Sequence, residues 1–298
     1  MTETVVLFPG QGSQPRDMRE HVGGPAPELV TYLEEECGPD VFDRTEQEAA
    51  CRQPAFVAST LAGWARLQAL VEQGTVEWGD GAAGPMAVAG HSLGEIPALV
   101  AGGVLDARDA IRLAHLRGSL YDEAQAAGPP GDMLALVGDG AHDFAHGLDD
   151  DDLWIANDNS PVQVVLSGAA DAVERVRKEA KAAGLRAVPL VVGVPAHTPM
   201  LAAYRDRLRA ALDDVPVHEP RIPVWSCTTA APMGDVREEV ADCIVQPVHW
   251  RQLLLALHER GARRFIDTGP GHVVAGLAHK TLPGVETPTS TDLEEAHG

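Results

Sequence analysis

The pentapeptide Gly90-His91-Ser92-Leu93-Gly94 constrains this chain more than any other stretch. It fits G-x-S-x-G between an apolar run at 86–89, of strand length, and a helix-forming run that continues to residue 101. A turn this sharp has no room for side chains at its glycine positions, and its strain lifts the serine hydroxyl out of the sheet. The helix behind it points backbone N–H groups and the positive end of its dipole at the same spot. The plain alternative is a glycine-rich turn in a chain with 30 glycines. The strand–turn–helix setting favours the nucleophile reading.

The rest of the chain supplies the context such a turn needs. Short Val/Leu-rich runs alternate with longer helical patterns, which predicts an α/β fold with a largely parallel sheet. Residues 5–8 (VVLF) read as a buried strand that runs into Pro9-Gly10-Gln11-Gly12. Asp106 reads as an N-cap with Asp109 in capping-box position. The helix it opens carries Leu113, Leu116 and Leu120 at helical spacing, which puts Arg117 on or beside the inward stripe. A break at 128–131 follows. Beyond it come a strand (133–137), a helix (141–147), two strands (153–156 and 162–167), a helix (170–183) and a strand (186–192). That β-α-β-β-α-β order is the ferredoxin-like arrangement and predicts a small subdomain, 129–193, inserted into a larger domain made of 1–128 and 194–298. Thr198-Pro199 starts another helix, with Leu201, Tyr204, Leu208 and Leu212 inward. Strands follow at 222–226 and 265–267, and Gly269-Pro270-Gly271 opens the last helix. The polar tail after Pro283 reads as loosely held.

Composition narrows the function classes. A length of 298 residues fits one large domain, alone or with a smaller one inserted. Aromatics are only 4%, so the core is built from Ala, Val and Leu. Lys plus Arg total 23 against 44 Asp plus Glu, a net charge of -21, which excludes non-specific nucleic-acid binding. Cys37, Cys51, Cys227 and Cys243 form no CxxC, so neither a metal site nor a disulfide framework is expected. No apolar stretch is long enough for a membrane span, and 5–8 is a strand rather than a signal peptide. The expectation is a soluble, cytoplasmic, free-standing monomer.

A nucleophilic serine needs a base, and the chain offers 12 histidines. Position favours His197, just before the Thr198-Pro199 cap. His91, adjacent to Ser92, should direct its ring elsewhere, and His249 and His272 stay as candidates. Arg117 cannot shed its proton, so a buried guanidinium must meet an anion. That anion is either a structural carboxylate or the carboxylate of a substrate, captured bidentately.

Seven motifs carry a family resemblance: FPGQGSQ at 8–14, GHSLGE at 90–95, LRGSL at 116–120, NDNSPVQVVLSG at 157–168, PAHTPML at 195–201, PVHW at 247–250 and DTGPGH at 267–272. In this order they resemble the malonyl-CoA:acyl carrier protein transacylases of fatty-acid and polyketide synthesis. The resemblance implies a hydrolase-like large domain with a ferredoxin-like insertion. It implies Ser92 as nucleophile, His197 as general base and then acid, and the backbone N–H groups of Gln11 and Leu93 as oxyanion hole. It further implies Arg117 as the partner of a malonyl-type carboxylate, His249 as the position whose backbone carbonyl orients the histidine, and Asn159 as support for the histidine region. His91, Val194 and Ala196 are candidate substrate-binding positions. The cycle would be ping-pong, with acyl-CoA as donor, no bound cofactor or metal, and the phosphopantetheine thiol of an acyl carrier protein as acceptor.

One departure bears on specificity. Malonyl-specific members commonly end this stretch in Ala-Phe-His, and methylmalonyl-specific ones in Tyr-Ala-Ser-His, whereas this chain has Val194-Pro195-Ala196-His197. Loss of the bulky residue predicts room at the α-carbon. Carrier proteins are acidic, so docking onto an acidic enzyme calls for a local basic patch: Arg175, Arg177, Lys178, Lys181 and Arg186, or Arg205, Arg207 and Arg209. The rival readings are an acyl-thioester hydrolase, a carrier-to-carrier transferase of a non-carboxylated acyl group, and a non-catalytic carrier-binding module.

Overall fold

The computed structural model describes residues 3–12, 17–79 and 82–296. Among the described residues nine strands form two sheets: β1 Glu3–Phe8, β2 Ala87–Gly90, β3 Gly131–Val137, β4 Leu153–Ser160, β5 Gln163–Ala169, β6 Arg186–Leu190, β7 Val224–Ser226, β8 Ala231–Pro232 and β9 Ala262–Asp267. The first sheet has the order β8-β7-β2-β1-β9. Its four main strands are parallel, and short β8 hairpins back onto β7 at the edge.

Strand β1 explains why this sheet is central. Val6 and Phe8 point into one apolar cluster, while Val5 and Leu7 point into another. Side chains alternate across a strand, so a continuous apolar run means both faces are covered. The helices Pro27–Cys37, Ala49–Glu72 and Ala107–Ala127 cover the first face. The helices Trp250–Glu259 and Val273–Thr281 cover the second.

The second sheet is antiparallel, in the order β4-β5-β3-β6. With the helices Ala141–His146 and Ala170–Ala182 it reproduces the β-α-β-β-α-β order read from the sequence. Leu134, Leu136, Val164 and Leu166 on one face pack against Val173, Val176 and Ala180 of the second helix. The fold class expected from the sequence is the one observed.

Two local expectations need correction, and one long helix was not anticipated. Asp106 occupies the N-cap of the helix Ala107–Ala127, but no side-chain capping bond forms there. Backbone bonds anchor that turn instead, among them Ala110 N–H to Asp106 O at 3.0 Å. The tail after Pro283 is not loose: it bridges β9 at Glu286 and Thr289. It then forms the helix Ser290–Glu295, closed by a capping box between Thr289 and Asp292. Finally, the long helix Ala49–Glu72 lies in a region that the apolar periodicity left unassigned. Ser13 and Gln14 of the first motif lie outside the described residues.

Candidate active site

The Ser92 turn is built as its sequence demands. Strand β2 ends at Gly90, and residues Ser92–Gly94 form a single tight 3-10 turn before the helix Glu95–Ala101. A Cβ at Gly90 would overlap the backbone of Gly94 and Glu95, and one at Gly94 would overlap the carbonyl of Phe8. Ser92 itself holds φ at 52°, a left-handed conformation that costs a non-glycine residue on the order of 1 kcal/mol or more. That strain is what turns its hydroxyl toward the cleft.

His197 meets it. The Ser92 Oγ–His197 Nε2 distance is 2.8 Å. His197 also holds a positive φ, 63°, and its backbone N–H donates to Ile244 O at 2.8 Å. Its Nδ1 lies 3.1 Å from the carbonyl oxygen of Gln246. A carbonyl only accepts, so Nδ1 carries the proton and the Nε2 lone pair faces the serine hydroxyl. Burial, then the nearby Arg117 guanidinium and the His91 ring, push the His197 pKa down to about 3. The ring is therefore neutral and able to take a proton.

The structure corrects the expected anchor of this histidine. The carbonyl belongs to Gln246, not His249, whose backbone N–H donates to Cys227 O at 2.7 Å while the residue caps the helix Trp250–Glu259. Asn159 bonds His91 rather than His197 itself: its Oδ1 accepts from His91 Nε2 at 2.7 Å, and its Nδ2 donates to Gln163 Oε1 at 3.1 Å. His91 therefore directs its ring away from Ser92, against Asn159 and the edge of Trp250, with ring centroids 5.1 Å apart. His272 is exposed, lies near Asp292 and is not among the residues lining the cleft with Ser92.

Arg117 is only 4% exposed and faces Ser92. Its Nη1 donates to Gln53 Oε1 at 2.7 Å, and its Nη2 stands 3.5 Å from Ser92 Oγ. The Tyr121 ring lies 4.7 Å from its Cζ, a cation–π contact. Among the described residues no carboxylate pairs with it. Gln53 and Tyr121 escaped the sequence reading, as did the carbonyl of Gln246.

Ser92, His197 and Arg117 line a narrow cleft of about 80 Å³, together with Gln11, His91 and Ala196. Met133, Leu190 and Val192 supply its apolar wall from the second sheet and the loop beyond it. Val194, a candidate for the same wall, is buried in the core and is not among the lining residues. The narrow cleft shares Gln11, Leu190 and Val192 with a wider one of about 930 Å³. The wider cleft is otherwise lined largely by residues 17–52, among them Arg19, Phe42 and Arg52.

The surface arginines are largely paired. Arg175 meets Asp150, while Arg177 and Lys178 meet Glu174. Arg205, Arg207 and Arg209 meet Glu238, Asp242, Glu123 and Asp213. Lys181 and Arg186 are exposed, with no ion pair among the described residues. Among the described residues no helix is long and apolar enough to cross a membrane.

A serine on a strained strand-to-helix turn, a carbonyl-anchored histidine and a buried arginine thus converge on one cleft. Residues 42–292 match the acyl transferase domain family, and the chain belongs to it. Its relatives are more particular. Over 315 residues it is 32% identical to the malonyl CoA-acyl carrier protein transacylase of Salmonella typhimurium, covering 99% of this chain and 97% of that one. The acyl carrier protein S-malonyltransferase of Vibrio cholerae superposes with a TM-score of 0.81 at 30% identity, covering 97% and 96% of the two chains. A malonyl-transacylase solved in complex with a type II polyketide-synthase acyl-carrier protein gives 0.80 at 30% identity, covering 99% and 100%. The family resemblance carried by the seven motifs is thus borne out.

Proposed function

We propose that this chain is a malonyl-CoA:acyl carrier protein transacylase that works through an ester on Ser92. The observation that carries the reading is the Arg117 guanidinium, buried 3.5 Å from Ser92 Oγ without a carboxylate partner among the described residues. A buried charge held only by an amide and a ring costs stability, and a carboxylate arriving with the substrate offsets that cost. Malonyl carries such a carboxylate and acetyl does not.

The chemistry follows from the geometry. Ser92 gives its proton to His197 Nε2 as Oγ attacks the thioester carbonyl of malonyl-CoA. Charge on the carbonyl oxygen is met by the backbone N–H groups of Gln11 and Leu93, a type of contact worth about 10²–10³ in rate per donor. As the C–S bond breaks, His197 passes its proton to the CoA sulfur, leaving the malonyl ester. The carrier's phosphopantetheine thiol then gives a proton to His197, attacks the ester and restores Ser92. The wide cleft leads to the narrow one and offers both thiol arms a common route. Ala196 lines the cleft, and its short side chain supports a further part of the reading, that methylmalonyl and larger malonyl units are accepted as well.

The test is initial-rate kinetics with malonyl-CoA and a holo acyl carrier protein. Parallel double-reciprocal lines, with malonyl transfer strongly favoured over acetyl transfer, support the reading. Converging lines, or equal use of acetyl-CoA, contradict it.

A further inference from the structure

Three segments meet beneath the nucleophile, and one carboxyl group joins them. Glu95 opens the helix that follows the Ser92 turn and is 1% exposed. Its Oε1 accepts the backbone N–H of Cys227 at 2.7 Å. Cys227 follows strand β7, which pairs with β2, the strand that leads into the Ser92 turn. The Glu95 carboxyl oxygen and the Sγ atoms of Cys227 and Cys243 all lie within 4.8 Å of one another.

Cys243 in turn begins the segment that holds the base. One residue on, Ile244 O accepts the His197 backbone N–H at 2.8 Å. Three residues on, Gln246 O lies 3.1 Å from His197 Nδ1. Glu95 thus stands between the turn that carries Ser92 and the segment that aims His197. Among the described residues its Oε2 finds no donor at bonding geometry.

A carboxyl group buried away from any charged partner among the described residues is costly, and an apolar side chain in its place would leave the buried Cys227 N–H without an acceptor. Its one well-made bond goes to Cys227, just past the strand that pairs with β2 ahead of Ser92. We propose that Glu95 is a positioning residue for acyl transfer: by fixing Cys227 against Cys243, it keeps the Ser92 turn in register with the 243–246 segment. The inference rests on the reading of Ser92 as nucleophile. Alignment of the reacting atoms depends on fractions of an ångström, so loosening this joint lowers the chemical step. Substrate capture stays intact, because Arg117 takes its own orientation from Gln53 and Tyr121.

The test compares wild type with Glu95→Leu, Glu95→Asp and Glu95→Gln. The readouts are the single-turnover rate of Ser92 acylation, the KM for malonyl-CoA and the thermal midpoint. Leucine removes the acceptor, aspartate withdraws it by one methylene, and glutamine keeps an acceptor oxygen in place. Leucine and aspartate should slow acylation about tenfold or more with KM nearly unchanged, and glutamine should restore most of the rate. If the leucine variant does not fold, the aspartate variant carries the test. A folded leucine or aspartate variant with the wild-type rate overturns the proposal. So does a KM that rises in step with the lost rate, or a glutamine variant as slow as leucine. An unacylated wild type overturns the nucleophile reading and this one with it. An acylated wild type with indifferent variants overturns this one alone.

Discussion

Ser92 Oγ and His197 Nε2 stand 2.8 Å apart, and both residues hold left-handed backbone conformations, with φ at 52° and 63°. Each is strained, and each strain is held by neighbours that cannot move. Gly90 and Gly94 allow the serine turn to close on Phe8, and the 244–246 segment grips the histidine at its backbone and at Nδ1. Two costly conformations are thus spent on one hydrogen bond, which is where a site that must be aligned before substrate arrives would place them.

Arg117→Ala should lower kcat/KM for malonyl-CoA by about 10²–10³, the loss expected for a charge-assisted bidentate contact in a dry site. Acetyl-CoA, which offers no carboxylate, should lose less than about threefold. Paired kinetics on the two donors check this, and an equal loss on both would mean that the arginine acts on Ser92 rather than on substrate.

The acid limb of the rate profile reports His197. Burial, Arg117 and His91 all lower its pKa, so the neutral ring persists well below the ordinary value of 6.5. Wild-type kcat/KM for an uncharged thioester should therefore hold as pH falls through about 6. Removing the Arg117 charge should move the limb upward, because one of the causes that disfavour the imidazolium is gone. A limb at the ordinary histidine value in wild type would contradict this.

Folding stability should carry opposing pH slopes. His197 is neutral in the fold with its pKa at about 3, so its contribution is complete above 6.5 and is lost as pH falls toward 3. Glu95 is raised from 4.5 to about 7 by burial, so the fold binds its proton more tightly than the unfolded chain does. That contribution is complete below 4.5 and fades as pH rises through 7. Glu95→Gln should therefore flatten the fall in thermal midpoint between about pH 5 and 8. Thermal melts across that range decide it, and an unchanged slope would place the titration elsewhere.

Carrier docking can be separated from acyl loading. Of the basic residues on and after the helix Ala170–Ala182, Lys181 and Arg186 keep unpaired charges among the described residues, whereas Arg175, Arg177 and Lys178 are already matched by Asp150 and Glu174. A Lys181→Glu, Arg186→Glu double variant should raise the KM for an acidic carrier about threefold to tenfold at low salt, and leave the KM for malonyl-CoA unchanged. Unchanged carrier kinetics would move the docking surface elsewhere.

Much of this was legible in the sequence, and the exceptions share a cause. The parallel sheet and the antiparallel β-α-β-β-α-β unit showed in strand-length apolar runs set off by glycine and proline. Ser92, His197 and Arg117 each showed through a local signal: a turn motif, a cap and a helical stripe. The helix Ala49–Glu72 did not, because most of its surface is buried and Pro54 lies inside it, so it shows neither an amphipathic stripe nor an uninterrupted run. Gln53 was hidden with it. The Gln246 anchor is a backbone carbonyl, which every residue owns and no side chain advertises. Nor is Glu286 or Thr289 marked as a partner of β9, since bridges of this kind depend on where the chain returns rather than on what it carries.

The most direct measurement is the intact mass of the protein after brief mixing with malonyl-CoA alone, followed by peptide mapping. A single malonyl ester on Ser92, discharged on addition of holo carrier protein and missing from Ser92→Ala, is the predicted result. No adduct, or an adduct that persists in Ser92→Ala, would contradict the account.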